Sequence, residues 1–147
     1  MIRTRTFDLE KVKMSKSYKP SPKDKYMGPK HMLYFRNKLQ HWREELIIES
    51  QETLEHLKSE IRDVGDEAER ASRESDNILE LRTRDRYRKL LKKIDEAMKR
   101  IEDGSYGYCE ETEEPISVQR LEARPIATLS IEAQERHERM ERTHRDD

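Results

Sequence analysis

Between Lys30 and Arg62 the chain has no glycine or proline, and Phe35, Leu39, Trp42 and Leu46 recur at spacings of four, three and four. Leu54, Leu57, Ile61 and Val64 resume the stripe at three, four and three after a polar interruption near Ser50. Side chains three and four apart share one face of a helix, so the pattern predicts a long helix with a narrow apolar seam. It breaks at Asp63-Val64-Gly65-Asp66, where Gly65 permits the positive φ that ends helices. Asp66 is a competent N-cap for a second helix, with Glu69 at the capping-box position. That helix runs without glycine or proline to about Asp103 and stops at Gly104, and Tyr87, Leu90, Ile94, Ala97 and Ile101 form its seam. Arms of roughly 34 to 38 residues, rising about 1.5 Å per residue, are each on the order of 50 Å long. The expected fold class is mainly α: a long antiparallel coiled-coil hairpin over residues 31–103 with an acidic tip at 63–71. Ser130 to Asp147 reads as a short amphipathic C-terminal helix, with Ser130 as N-cap and Glu132 and Arg136 as an i,i+4 pair. Its apolar side is limited to Ile131, Ala133 and Met140.

Composition narrows what else can be present. Charged residues make up 43% of the chain and apolar ones 32%, and the mean hydropathy is −1.21. That is too hydrophilic for a large core and leaves room for one small domain beside extended helix. The net charge of −1 supplies no global attraction to nucleic acid, so an anion would have to meet a local patch. No apolar run approaches the roughly 18 residues of a membrane span, and the N-terminus MIRTRTFDLEK lacks the apolar core of a signal peptide. A cytoplasmic protein is expected, and a single cysteine, which offers no internal disulfide, agrees. Residues 1–30 carry nine Lys or Arg against three acids, with Pro20, Pro22, Gly28 and Pro29. They read as a flexible basic segment, either a solvated tail or an arm that touches an acidic or nucleic-acid partner.

Residues 106–133, YGYCEETEEPISVQRLEARPIATLSIEA, read like a zinc-finger module with its ligands removed. A structural zinc site takes four Cys or His ligands, usually as two close pairs. Cys109, Thr112, Ser130 and Ala133 keep the spacing of two C-x-x-C pairs, but three of the four thiolates are missing, so zinc is not expected. Metal binding normally supplies folding free energy to so small a module. In its place Tyr106, Tyr108, Ile116, Val118, Leu121, Ile126 and Leu129 could pack together, which predicts a zinc-ribbon-like, metal-free domain over residues 104–129. The alternative is a loop that orders on its partner. Glu110 and Glu111 should disfavour a Cys109 thiolate, His137 and His144 add a poor metal set, and the histidines otherwise look like surface residues.

Three blocks of text point to a family. They are D-x-x-E-x-A at Asp66, Glu69 and Ala71, then ILELRTRDRYRKLLKKIDEAMKRIEDGSYGYC at residues 78–109, and RLEARP at Arg120 to Pro125. Together, over roughly residues 32–134, they resemble the DksA family of RNA polymerase regulators. The resemblance implies a non-enzymatic regulator whose hairpin enters the secondary channel of RNA polymerase, with its tip working near the active centre. It would alter the lifetime of promoter complexes, those of ribosomal RNA promoters among them, together with the alarmone ppGpp. The family's second tip Asp is Glu69 here, and Thr83 stands where relatives commonly have Asn. Cations crowd the second arm at Arg82, Arg84, Arg86, Arg88, Lys89, Lys92 and Lys93. A solvated basic face explains such a run; by resemblance, Arg86, Leu90, Lys93 and Arg124 match residues that serve ppGpp, whereas Gln134 replaces a family Lys. No sequence-specific DNA binding is implied, and a hairpin that satisfies its own seam predicts a monomer. Two other readings stay open: a transcript-cleavage factor like the Gre proteins, which use tip carboxylates to help bind a second metal, and a coiled-coil scaffold unrelated to polymerase.

Overall fold

The computed structural model describes residues 6–61 and 69–146, with side chains described over 6–59 and 71–144. The expected turn at 62–68, with Gly65 and Asp66, therefore lies outside the described residues. Four α-helices follow a short 3-10 turn at Leu9–Lys11: α1 (Pro29–Ile61), α2 (Glu69–Asp103), α3 (Val118–Ala123) and α4 (Ile131–Asp146). Pro29 suits the first helical position because its missing N–H would be unbonded there anyway. At its C-terminus, α2 closes as a Schellman motif. Gly104, at φ 82°, donates to the Ile101 carbonyl (3.3 Å) and Ser105 donates to that of Arg100 (2.9 Å). Gly104 thus ends the helix where the sequence places its end.

The chain divides into two compact units, residues 40–95 and residues 1–39 with 96–147. In the first unit, α1 and α2 pair antiparallel: Arg43 meets Asp95 (2.7 Å), while Glu49 and Thr53 both meet the Tyr87 hydroxyl (3.2 Å each). Leu46, Thr83, Tyr87 and Ile94 are its buried side chains. Leu54, Leu57 and Leu90 are half-buried, as expected of a two-helix seam with no third layer to cover it.

The second unit gathers the start of α1, the end of α2, the module after Gly104 and α4. Phe35, Leu39, Ala97, Tyr106, Leu121 and Ala133 are fully buried there. The Phe35 and Tyr106 rings pack at 5.6 Å, and the Tyr106 hydroxyl donates to the Pro125 carbonyl (2.7 Å). Of the expected apolar set, Tyr106, Ile116, Leu121 and Ile126 are buried, and Tyr108, Val118 and Leu129 are half-buried. The module holds no strand among the described residues; its ribbon character reduces to one antiparallel bridge, Tyr108 to Pro115, inside a hairpin whose ends meet through Ile116 N–H and Gly107 carbonyl (2.8 Å).

Two expectations need correction. Residues 1–30 are not solvated throughout: Met27 is 4% exposed, and the Tyr26 hydroxyl donates to the Gly107 carbonyl (2.6 Å). Aromatic and sulfur-bearing side chains among the lysines supply apolar area that an average over the segment dilutes. His31 is also not a surface residue; it is 2% exposed, and its Nδ1 accepts from the Met27 N–H (3.2 Å).

Candidate functional site

The predicted alarmone residues of α2, Arg86, Leu90 and Lys93, fall at i, i+4 and i+7, so the helix places them on one face. Arg86 and Lys93 are exposed and Leu90 is half-buried. The Arg86 guanidinium lies over the Tyr87 ring, 5.4 Å from its centroid, which restrains a long cation beside the seam. Neighbouring cations of α2 are paired within the helix. Arg84 donates twice to Glu80 (2.8 and 3.1 Å), while Arg88 (2.6 Å) and Lys89 (2.9 Å) share Asp85. Hydrogen bonds from Lys89 and then Arg88 hold the Asp85 carboxyl below the usual carboxylate range. Beside these pairs lies a surface depression of about 530 Å³ lined by Leu81, Arg82, Arg84, Asp85 and Arg88.

Arg124 belongs to the other compact unit. It is the exposed C-cap of α3, its N–H bonded to the Arg120 carbonyl (2.7 Å). The RLEARP block explains how that position is held. Arg120 Nε donates to the Leu129 carbonyl (2.9 Å), Leu121 is buried, Pro125 accepts from Tyr106, and Glu122 takes Lys38 Nζ (3.2 Å). Burial, and after it a hydrogen bond to Glu122, pushes the Tyr34 phenol up to about 12. Tyr34 and Lys38 thus anchor α3 to α1; the partner of Lys38, 84 residues away, could not be read from spacing. Gln134 is half-buried on α4. At the tip, Asp66 lies outside the described residues, Glu69 is the first residue of α2, and Ala71 is exposed.

Of the degenerate ligand positions, Thr112 and Ser130 reach Cys109. This thiol is fully buried. Burial pushes its pKa up, but the Thr112 hydroxyl and the backbone N–H groups of Ser130, Thr112 and Glu111 donate to it and bring it down from 9.0 to about 7. The expectation that Glu110 and Glu111 disfavour the thiolate is therefore corrected. Glu110 pairs with Arg100 (3.4 Å) and Glu111 with His137, so both carboxylates are engaged by cationic or polar partners while the amides face sulfur. Ser130 spends its hydroxyl capping α4, accepting from the Ala133 N–H (3.3 Å), as its N-cap reading anticipated. The Ala133 side chain offers no ligating atom. One thiol, two hydroxyls and a methyl do not make a tetrahedral zinc set, and among the described residues no group of three His, Cys, Asp or Glu side chains is placed to hold a metal.

An antiparallel helical hairpin is followed along the chain by a small module in which Cys109 and Thr112, then Ser130 and Ala133, keep the spacing of two C-x-x-C pairs. Residues 31–101 match the family described as DnaK suppressor protein DksA, N-terminal domain, and residues 104–139 match the prokaryotic dksA/traR C4-type zinc finger. The chain belongs to the DksA family. It is 60% identical over 130 residues to the RNA polymerase-binding transcription factor DksA of Caulobacter vibrioides, covering 88% of this chain and 92% of that one. To the protein of the same description from Escherichia coli K12 it is 42% identical over 115 residues, 78% of this chain and 76% of the relative. Among solved structures, transcription factor DksA2 from Pseudomonas aeruginosa superposes with a TM-score of 0.70 at 44% identity, covering 80% of this chain and 90% of that one.

Proposed function

We propose that this protein binds RNA polymerase, inserts the tip of its hairpin into the secondary channel, and alters the lifetime of promoter complexes together with ppGpp. The observation that supports this most directly is identity of 60% across nearly the whole length of a relative described as an RNA polymerase-binding transcription factor. It acts without catalysis, as a monomer, in the cytoplasm where its polymerase is, and without reading DNA sequence. Asp66, Glu69 and Ala71 perturb elements of the active centre. Arg86 and Lys93 hold the polyanionic alarmone by charge-assisted hydrogen bonds, with Leu90 beside them, and Arg124 adds a further cation. The former zinc positions need no metal for this role, because none of these residues is a ligand position.

The test is transcription in vitro from a ribosomal RNA promoter with purified polymerase, with and without ppGpp, beside Asp66→Asn and Glu69→Gln. The wild type should shift output, ppGpp should amplify the shift, and the tip variants should bind polymerase but lose the effect. Binding without any change in output, accompanied by faster cleavage of stalled transcripts, would instead favour a Gre-like factor. No polymerase complex at all would favour a scaffold.

A further inference from the structure

We propose that Asp24–Gly28 is a strap that locks the metal-free module shut, doing through Tyr26 and Met27 the closing that a metal does in a C4-type zinc finger. The module's donor set does not fit zinc, so its knuckle hairpin, residues 107–116, must be closed otherwise. Its internal bonds are few: Cys109 N–H to the Glu114 carbonyl (2.8 Å), Glu113 N–H to the Cys109 carbonyl (2.9 Å), and Ile116 N–H to the Gly107 carbonyl (2.8 Å). Tyr26 sits across the open end. Its hydroxyl donates toward the carbonyls of Gly107 (2.6 Å) and Ile116, so a single phenol joins the two sides of the hairpin's mouth. Its ring also meets Tyr108 edge-on at 5.8 Å.

Met27 completes the clasp. It holds a φ of 50°, uncommon for a residue with a side chain. Its buried side chain lies so close to Gly107 that a Cβ there would come within 2.7 Å of Met27 Cγ. Gly107 itself, at φ 93°, is in a region that favours glycine. The strap is in turn fixed by the Met27 N–H bond to His31 Nδ1 and by Gly28 N–H to the Lys25 carbonyl (2.9 Å), just ahead of α1. A cavity of about 260 Å³ beside the clasp is lined by Lys25 to Gly28 together with Phe7, Met32, Gly104 and Tyr108. Thr112 and the amides around Cys109 then hold the knuckle's interior, and the strap holds its mouth.

The measurement is amide hydrogen exchange on the full-length chain, wild type beside Tyr26→Phe and Met27→Ala. In both variants the Cys109 and Ile116 amides should lose about tenfold or more of their protection, as expected for removal of one buried contact, while the Leu46 and Ile94 amides of the helical seam keep theirs. Unchanged protection at Cys109 and Ile116 in Tyr26→Phe, which removes a single oxygen, overturns the proposal. Equal loss at the seam overturns it too, because the strap would then act on the whole chain and not on the module. Neither readout involves polymerase, so the outcome is independent of the proposed function.

Discussion

Cys109 shows how a former metal ligand is kept once its partners are gone. A zinc knuckle aims amides at its thiolate, and here the amides of Ser130, Thr112 and Glu111, with the Thr112 hydroxyl in place of a second sulfur, still converge on it. The folded thiol titrates near 7, below its ordinary 9.0. A depressed value means that the fold prefers the deprotonated form. The stability it adds is complete above pH 9, shrinks as the pH falls toward 7, and is absent below that. The module's melting temperature should therefore rise between pH 7 and 9 relative to Cys109→Ser, in which that rise is lost, and the thiolate absorbance should titrate near 7 in the folded chain. A flat difference between the two chains across this window would refute the assignment. Tyr106 offers a second check at the same scale. Removing its hydroxyl in Tyr106→Phe leaves the buried Pro125 carbonyl without its donor, which should cost about 1–2 kcal/mol in denaturant unfolding.

At the scale of elements, the seam of the hairpin is thin, so each buried side chain in it counts for much of the pairing. Ile94 is fully buried and Leu81 is 66% exposed, although both are aliphatic residues of α2. Ile94→Ala should lower stability by about 2–4 kcal/mol through lost contact and a residual cavity, whereas Leu81→Ala should stay within about 0.5 kcal/mol; urea melts followed by helical circular dichroism separate them. The 3–4 periodicity made both arms, the Gly104 stop and most of the seam legible, because a helix turns spacing directly into facing. What it could not reveal is how the polar interruption near Ser50 is filled. The Tyr87 hydroxyl reaches Glu49 and Thr53 across the pair, and Thr83, read only as a departure from relatives, is in fact a seam position four residues before Tyr87. Cross-helix register of this kind depends on two sequence positions at once, and a one-dimensional pattern lists them separately.

For the whole molecule, legibility fell with sequence separation. Tyr26 bonds to residues 81 and 90 positions away, so a segment judged by its own lysines and prolines looked solvated. The alarmone reading has the same non-local character, since Arg86, Leu90 and Lys93 belong to one compact unit and Arg124 and Gln134 to the other. Gln134 is the informative member of that set. By the resemblance it stands in place of a Lys; it lies half-buried on α4, and its amide is engaged only weakly with Glu138 (3.4 Å). A lysine there would bring a cation to the same helix face without disturbing the Ser130 cap or the buried Ala133 one position before it. One added charge-assisted contact at a partly exposed site should raise apparent affinity for ppGpp by about threefold to tenfold. Gln134→Lys is therefore expected to shift the ppGpp titration of ribosomal promoter output to lower concentration, and to lose that gain as salt is raised, because the contact is screened. Lys93→Ala should move the titration the other way while leaving output without ppGpp unchanged. If Gln134→Lys leaves the midpoint where it was while Lys93→Ala weakens it, α4 takes no part in the proposed alarmone site.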